Sequence, residues 1–331
     1  MTSITRSASQ RTPSLQGAFT ALVTPFTPTG GIDEAAYRRL VAWQITAGID
    51  GLVPVGTTGE SPTLSTAERD RLIEIAVTTA AEHTGRRVPV IAGTGSNDTR
   101  ASIEATRRAA ALGADAALIV TPYYNKPDQR MLDAHFRAIA NEGGLPIVVY
   151  NVPGRTGANV EADTFLRLAE HPRVVAVKEA SANIEQIAVI CRDRQRDVAV
   201  LSGDDAATLA VLAMGGDGVV SVASNEIPDA MAALCAAALI GDFTGARAIH
   251  DRWLPLLRAN FQGGPNPVPA KAAMLAMGLI QHDGLRAPLL PMDTAPRERL
   301  IGLLRTLGLL DEGGRQTTTA TRSVVTAPVA A

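Results

Sequence analysis

Lysine, histidine, cysteine and aromatic residues are all scarce in this chain of 331 residues, and each scarcity narrows the available chemistry. Only three lysines are present, so arginine carries almost all of the positive charge. Because a guanidinium stays protonated in proteins, any reaction that needs a neutral amine must use one of these lysines. They are Lys126, Lys178 and Lys271.

The histidines and cysteines do not form metal or redox motifs. The five histidines are scattered along the chain, and none has the spacing of a motif such as HExxH, so the sequence predicts no metal. Cys191 and Cys235 both fall on apolar helical patterns and are not in a CxxC arrangement. We therefore expect two reduced core thiols, as in a cytoplasmic protein.

The chain has neither an excess of one charge nor a long apolar run. There are 31 Lys and Arg against 33 Asp and Glu, without a basic stripe, so neither nucleic acid nor an anionic membrane is an expected partner. No run approaches the roughly eighteen apolar residues that a membrane span needs. Residues 1–16 lack the apolar stretch of a secretory signal. We expect a soluble, cytoplasmic protein with disordered tails at residues 1–16 and 311–331.

Between the tails, short apolar segments alternate with longer segments of helical periodicity. The predicted strands are Ala18–Val23, Gly51–Val55, Pro89–Ala92, Ala116–Val120, Pro146–Tyr150, Val174–Lys178, Val198–Ser202 and Gly218–Ser221. They are apolar throughout, as in a parallel sheet that is covered on both faces. Eight such β-α units predict an α/β protein with a closed (β/α)8 TIM barrel at residues 17–241. Three further helical patterns within residues 242–310 predict an appended C-terminal helical bundle.

In such a barrel, reactive residues lie at the carboxyl ends of the strands, and the sixth predicted strand ends on Lys178. Burial there would lower the pKa of the amine and allow it to attack a ketone. Lys126 lies in a proline-bounded loop and Lys271 on a helical pattern, so we expect only Lys178 to be desolvated at a strand end. The alternative is that Lys178 pairs with Glu179 or with solvent.

Polar and aromatic residues also cluster after the predicted strands. Tyr123, Tyr124 and Tyr150, three of the four tyrosines, fall on this face of the barrel. Core filling would place them in strand interiors, so their clustering favours a function. Strand seven is followed by two carboxylates. Of these, we expect Asp205 to cap the seventh helix and Asp204 to order the loop.

Other motifs in the chain fit known sites poorly. Gly56–Ser61 lacks the Gly-Lys-Ser/Thr ending of a phosphate loop, and Ala92–Asn97 lacks the third glycine of a dinucleotide fingerprint. Ser61 and Ser202 have no histidine placed to activate them, so a Ser-His-Asp hydrolase has little support. A phosphate-binding barrel isomerase is disfavoured because strands seven and eight are not followed by a suitable glycine-rich loop.

Six segments in order resemble a known family: GTTGES, VTPYYN, YNVPGRTG, VKEA, LSGDD and GPNPVPAK. They are similar to the dihydrodipicolinate synthase (4-hydroxy-tetrahydrodipicolinate synthase) branch of the pyruvate-dependent class I aldolases, which include N-acetylneuraminate lyase. The similarity covers approximately Gly17 to Leu310. It implies a lyase that condenses pyruvate with aspartate 4-semialdehyde in lysine and diaminopimelate biosynthesis. It implies no cofactor, because an iminium on the enzyme is itself the electron sink.

The resemblance assigns four residues to catalysis. Lys178 forms the Schiff base with pyruvate, and the hydroxyls of Tyr150, Thr57 and Tyr124 form a chain that carries protons. Tyr124 is implied to reach into the site of a neighbouring subunit. A homodimer, commonly doubled to a homotetramer in the family, is therefore the smallest active unit implied.

The resemblance assigns four further residues to substrate binding. Thr58 and nearby backbone amides are implied to hold the pyruvate carboxylate, and Arg155 the carboxylate of the second substrate through a charge-assisted pair. Gly203 and the carbonyl of Val220 are implied to line the pocket near the amine. Assignment to the synthase branch depends mainly on Arg155. The alternatives are an aldolase of the N-acetylneuraminate or 2-keto-3-deoxygluconate type, and a non-catalytic paralogue.

The chain departs from the family at the effector site that lysine occupies in feedback-inhibited members. That site uses a histidine pair and a glutamate, and the matching positions here are Thr66, Arg69 and Ala101. An ammonium ligand would lose a carboxylate partner and meet a guanidinium instead. The sequence therefore predicts weak or absent inhibition by lysine.

Overall fold

The computed structural model describes residues 15–83, 85–195 and 197–311, and their strands form one parallel sheet. The strands are β1 Gly17–Ala21, β2 Gly51–Val53, β3 Ile91–Gly93, β4 Ala116–Val120, β5 Ile147–Asn151, β6 Val174–Glu179, β7 Ala199–Ser202 and β8 Gly218–Ser221. Their hydrogen-bonded order is β2-β1-β8-β7-β6-β5-β4-β3. Apart from β2 and β3, strands that are neighbours in sequence are neighbours in this order, and β1 pairs with β8.

The two outer strands of this order also meet, which closes the sheet into a barrel. The Leu52 N–H donates to the Pro89 carbonyl over 3.0 Å, and the Gly93 N–H donates to the Pro54 carbonyl over 2.9 Å. Leu52 and Val90 form a parallel bridge between these contacts. The predicted (β/α)8 barrel is therefore confirmed.

Helices surround the barrel, and several begin where the sequence offers a capping side chain. The helices are α1 Glu34–Thr46, α2 Thr66–Glu82, α3 Thr99–Ala111, α4 Gln129–Glu142, α5 Pro153–Thr156, α6 Ala162–Ala169, α7 Ile184–Asp193, α8 Thr208–Ala213, α9 Pro228–Leu239, α10 Phe243–Ala259, α11 Val268–Ala276 and α12 Thr294–Thr306. Ser65 and Glu68 form a reciprocal capping box at α2, and Asp33, Asp98 and Asp128 accept first-turn N–H bonds at α1, α3 and α4. Such caps satisfy backbone donors that have no partner within the helix.

The strands are apolar on both faces because one face fills the barrel and the other packs under the helices. In β5, Tyr150 belongs to the cluster inside the barrel and Val149 to the cluster beneath the helices. Side chains alternate along a strand, so Lys178 lies on the same face as Ala176, which is inside the barrel. The strand register thus points the lysine into the barrel.

The interior of the barrel includes a residue that precedes the predicted start of the barrel. Leu15, predicted to belong to the N-terminal tail, is buried among the residues inside the barrel. Most of both predicted tails, residues 1–14 and 312–331, lies outside the described residues. Within the described ranges, no helix is both long and apolar enough to cross a membrane.

The C-terminal helices pack against one side of the barrel. Helix α10 lies along α9 and α8, and α12 contacts both α10 and α11. Helix α11 is buried along most of its length and contacts the short turn at Ala223–Asn225 after β8. This places α11 close to the end of the barrel where the strands terminate.

Candidate active site

Lys178 lies near the end of β6 as a buried lysine without an ion-pair partner. Its side chain is 6% exposed, and no carboxylate among the described residues forms a salt bridge with it. Burial lowers the pKa of Lys178 to about 8, an effect that the negative charge of Asp205 opposes and the positive charge of Arg155 reinforces. A substantial fraction of the amine is therefore neutral near physiological pH.

The neighbouring carboxylate of Glu179 is engaged elsewhere. It accepts hydrogen bonds from Ser181 N–H (2.7 Å), Asn151 Nδ2 (3.1 Å) and Gln186 Nε2 (3.2 Å). Adjacent residues of a strand point to opposite faces of the sheet, so Glu179 faces away from the barrel interior. The alternative that Lys178 pairs with Glu179 or with solvent is therefore wrong.

Tyr150 lies beside Lys178 on the adjacent strand. The two are register partners, and the Lys178 Nζ atom is 4.3 Å from the centroid of the Tyr150 ring. Burial raises the pKa of Tyr150, while the charge of Arg155 and a hydrogen bond with the Thr57 side chain partly offset this. The phenol therefore keeps its proton at neutral pH and is linked to a second hydroxyl, as a proton relay requires.

Thr57 and Thr58 lie on the loop that follows β2. Thr58 is 2% exposed, and its Oγ1 accepts a hydrogen bond from Asn266 Nδ2 over 3.0 Å. Asn266 was not predicted as a site residue. The sequence feature that could have indicated it is its position between two prolines in the GPNPVPAK segment. That segment was used only as one of the motifs that carry the resemblance.

Arg155 lies on α5, a single turn inside the predicted loop after strand five. The turn ends at Gly157, whose φ of +71° is readily adopted by glycine. The Arg155 side chain is exposed, and its guanidinium has no hydrogen bond or ion pair with the described residues. Its positive charge still lowers the pKa values of Lys178 and Tyr150, so the guanidinium lies close enough to both residues to act on them electrostatically.

Gly203 lies directly after β7, and Val220 lies on β8. A Cβ atom on Gly203 would stand 3.2 Å from Lys178 Cε and 2.7 Å from Ala180 Cβ, so the missing side chain leaves space for the lysine. The Gly203 N–H donates to the Glu179 carbonyl over 2.7 Å, which fixes this close approach. Val220 on β8 is buried in the same interior cluster as Tyr150.

Tyr124 is not packed against this group within one chain. Its side chain is 90% exposed, and its backbone has a left-handed φ of +74°. Tyr123 beside it is 40% exposed. Of the eight predicted site residues, the structure thus brings seven to one end of the barrel and leaves Tyr124 projecting from the surface.

The predicted role of Asp205 is wrong. Its Oδ2 accepts from the Val222 and Ala223 N–H groups over 3.0 and 2.9 Å, while α8 begins at Thr208 without a side-chain cap. The carboxylate thus caps the turn after β8 and not its own helix. The fold brings the free N–H groups of this turn within hydrogen-bond distance of the carboxylate. Asp204 orders its loop as predicted, since its Oδ1 accepts from the Ala206 N–H.

Lys178 is desolvated at a strand end as expected, but a second lysine is buried on a helix. Lys271 is 0% exposed, and burial is the main cause that lowers its pKa. Lys271 differs in being paired with Glu60, which favours the charged ammonium. Both lysines are buried, so burial alone does not distinguish them. They differ because Lys271 has a carboxylate partner, whereas Lys178 has none among the described residues.

This arrangement suits nucleophilic addition of an amine to a carbonyl. It combines an amine of lowered pKa, a buried phenol linked to a threonine hydroxyl, and a guanidinium that has no partner among the described residues. In the part of the chain that the structure describes, no group of three or more His, Cys, Asp or Glu could hold a metal ion.

Comparison with known proteins agrees with this geometry. Residues 14–307 match the model of the dihydrodipicolinate synthetase family. The 4-hydroxy-tetrahydrodipicolinate synthase of Koribacter versatilis is 48% identical over 297 residues, which are 89% of this chain and 97% of that protein.

Two solved structures are similarly close. The chloride-inhibited dihydrodipicolinate synthase of Acinetobacter baumannii, complexed with pyruvate, has a TM-score of 0.86 at 41% identity, covering 90% of this chain and all of that one (100%). The enzyme of Cyanidioschyzon merolae with lysine bound has a TM-score of 0.85 at 43% identity, covering 89% and 99%. The chain belongs to the dihydrodipicolinate synthetase family.

Proposed function

We propose that this chain is a 4-hydroxy-tetrahydrodipicolinate synthase that condenses pyruvate with aspartate 4-semialdehyde through a Schiff base on Lys178. The observation that carries the proposal is the buried amine of Lys178, unpaired among the described residues, against the ring of Tyr150. At pH 7.5, a pKa of about 8 leaves about a quarter of the amine neutral, against about one part in a thousand for an ordinary lysine. Burial thus increases the reactive form by about two orders of magnitude.

The first half of the reaction forms a nucleophilic carbon from pyruvate. The neutral Nζ attacks the keto carbon, and loss of water then gives an iminium. The iminium withdraws electrons from the neighbouring methyl group. The hydroxyl chain, which has given a proton to the departing water, takes a proton back from this methyl group and leaves an enamine. Tyr150 and Thr57 exchange protons with the carbonyl oxygen during these steps, since both hydroxyls can donate and accept.

The second half joins this carbon to the aldehyde. The enamine carbon attacks the aldehyde carbon of aspartate semialdehyde, and the resulting alkoxide takes a proton from the hydroxyl chain. The amino group of the second substrate then displaces Lys178 from the iminium carbon and closes the ring. Arg155 is suited to hold the carboxylate of this substrate, because its guanidinium is unpaired among the described residues and its charge reaches the pocket.

We propose that a dimer is the smallest active unit, in which Tyr124 enters the pocket of the partner subunit and completes the hydroxyl chain. The exposure of its phenol, 90%, on a backbone held in the left-handed region supports this role. A large aromatic side chain gains little by projecting into water, whereas it contributes much contact area when it enters another protein. We also propose a cytoplasmic location for the synthesis, which the two free cysteines support.

Steady-state assays with aspartate semialdehyde and with two sugar acids test this function. Condensation of pyruvate with aspartate semialdehyde is expected to exceed by at least about 100-fold the activity toward N-acetylneuraminate or 2-keto-3-deoxygluconate. Arg155→Met should abolish most of this preference through a higher KM for the semialdehyde. A higher kcat/KM for either sugar acid would make the chain a different pyruvate aldolase, and no turnover of any of them would make it a non-catalytic paralogue.

A further inference from the structure

A fully buried ion pair links the loop after β2 to the C-terminal helices. Lys271 Nζ on α11 lies 2.7 Å from Glu60 Oε1, and both side chains are 0% exposed. Removing two charges from water is costly, and such pairs are often no more stabilising than apolar residues of the same size. Stability alone is therefore a weak explanation for a buried pair that joins residues 211 positions apart.

The pair is held on both sides by backbone groups of one segment. Lys271 Nζ also donates to the Gly284 carbonyl over 2.6 Å, and Glu60 Oε2 accepts from the Arg286 N–H over 3.0 Å. The ring of Phe26 lies 4.3 Å from the Lys271 ammonium. Both oxygens of the Glu60 carboxylate are thus bound, and their partners all come from the C-terminal part of the chain.

Glu60 is the last residue of the turn that presents Thr57 and Thr58. Its N–H donates to the Thr57 carbonyl over 3.0 Å, and its φ is +56°. Val55, at the start of the same turn, has a φ of +59°. Non-glycine residues adopt this conformation at a cost of the order of 1 kcal/mol or more, so tertiary contacts must hold the turn in place.

A second contact reaches the same turn from the same region. Asn266, five positions before Lys271, donates from Nδ2 to Thr58 Oγ1 over 3.0 Å. A hydroxyl that accepts one hydrogen bond still has its own proton to donate. The Asn266 amide therefore leaves the Thr58 hydroxyl free to donate to a substrate carboxylate, as binding of pyruvate requires.

We infer that Glu60, Lys271 and Asn266 are positioning residues for the condensation, and that the C-terminal region acts through them to fix the Thr57 and Thr58 hydroxyls in the pocket. The inference rests on the proposed function, because it concerns the hydroxyls that serve that reaction. The ion pair sets the backbone of the turn, and Asn266 sets the direction of the Thr58 hydroxyl. Displacement of catalytic groups by about 1 Å is enough to reduce turnover about 100-fold.

The test separates positioning from folding stability. Glu60→Leu and Lys271→Met alone each leave a buried charge unpaired and should lower the melting temperature by about 5–10 °C. The double variant Glu60→Leu/Lys271→Met has no buried charge left and should regain part of this loss. Each variant is assayed well below its own melting temperature, with kcat and the KM for pyruvate measured separately.

Positioning predicts that kcat of the double variant stays about 100-fold below that of the wild type, whatever its melting temperature. The control is Arg194→Met, which removes the ion pair with Asp217 at the amino-terminal ends of β7 and β8 and should lower stability but leave kcat unchanged. Asn266→Leu removes the hydrogen bond from the Asn266 amide to the Thr58 hydroxyl. It should raise the KM for pyruvate about tenfold, because Thr58 is then no longer oriented toward the substrate carboxylate. Wild-type kcat in the double variant, or an unchanged KM in Asn266→Leu, overturns the inference. An inactive wild-type protein would instead overturn the proposed function.

Discussion

The Lys178 ammonium lies over the ring of Tyr150, 4.3 Å from its centroid, and the two residues are register partners on β6 and β5. A cation at this position gains about 0.5–2 kcal/mol from the ring, whereas burial disfavours its charge. Burial dominates, since the pKa of Lys178 falls to about 8. Near neutral pH, Lys178 is therefore present in both its charged and its neutral forms.

Formation of the pyruvate adduct should accelerate with pH and level off above about pH 8. Lysine is neutral above its pKa, and only the neutral amine attacks, so the rate rises as the proton is lost. The initial rate of cyanoborohydride-trapped adduct, measured by intact mass from about pH 6 to about pH 9 without aldehyde, should rise several-fold per pH unit below the inflection.

Two charge variants check the origin of this inflection. Arg155→Met removes a positive charge that lowers the pKa of Lys178 and should move the inflection to higher pH. Asp205→Asn removes a negative charge that raises this pKa and should move it to lower pH. A rate that does not vary with pH in the wild type, or shifts of the opposite sign, would contradict the assignment.

Tyr150→Phe should reduce kcat by about 100-fold or more, because the ring remains but the proton carrier is lost. Adduct formation should remain detectable, since Lys178 is unchanged. The matched control is Tyr37→Phe, which removes another buried hydroxyl, one without a hydrogen-bond partner in the structure, and should leave kcat unchanged. Equal kcat in the two variants would remove Tyr150 from the proposed relay.

Mixing two inactive variants tests the shared site. Tyr124→Phe and Lys178→Ala subunits, reassociated at random, form some mixed dimers in which one pocket has both an intact Lys178 and an intact Tyr124. Activity should recover to about a quarter of the wild-type value, since half of the dimers are mixed and each has one complete site. Recovery of no activity, with mixed dimers demonstrated by native mass spectrometry, would argue against a shared site.

Lysine should inhibit this protein weakly or not at all. Arg69 donates from Nη2 to the Ser61 carbonyl over 2.7 Å and from Nε to the Leu64 carbonyl over 3.2 Å, which fixes its positive charge beside Ser61. An ammonium ligand near this guanidinium is repelled, and Ala101 offers no carboxylate to compensate. Initial rates with increasing lysine check this, and sub-millimolar inhibition of the wild type would contradict it. The variant Thr66→His/Arg69→His/Ala101→Glu is expected to be more sensitive.

The sequence predicted those features that depend on local pattern. The β-branched residues of Val174–Val177 indicated a buried strand, and the strand geometry then determined that Lys178 faces the barrel interior. The role of Asp205 could not be read locally, because its N–H donors belong to Val222 and Ala223, which follow the next strand.

Contacts between distant segments were missed for the same reason. Lys271 is on a helical pattern that gives no sign of a buried charge, since its partner Glu60 lies 211 positions away. The bond from Asn266 to Thr58 spans 208 positions. Motif order indicated that these segments belong to one site, but only the closed barrel shows which side chains meet.

Reductive trapping of pyruvate, followed by peptide mapping, tests the central claim most directly. Borohydride added with pyruvate should give one stable adduct, located on Lys178, and Lys178→Met should lose both the adduct and turnover. Tyr37→Phe should retain both. An adduct on Lys126 or Lys271, or full turnover by Lys178→Met, would contradict the account.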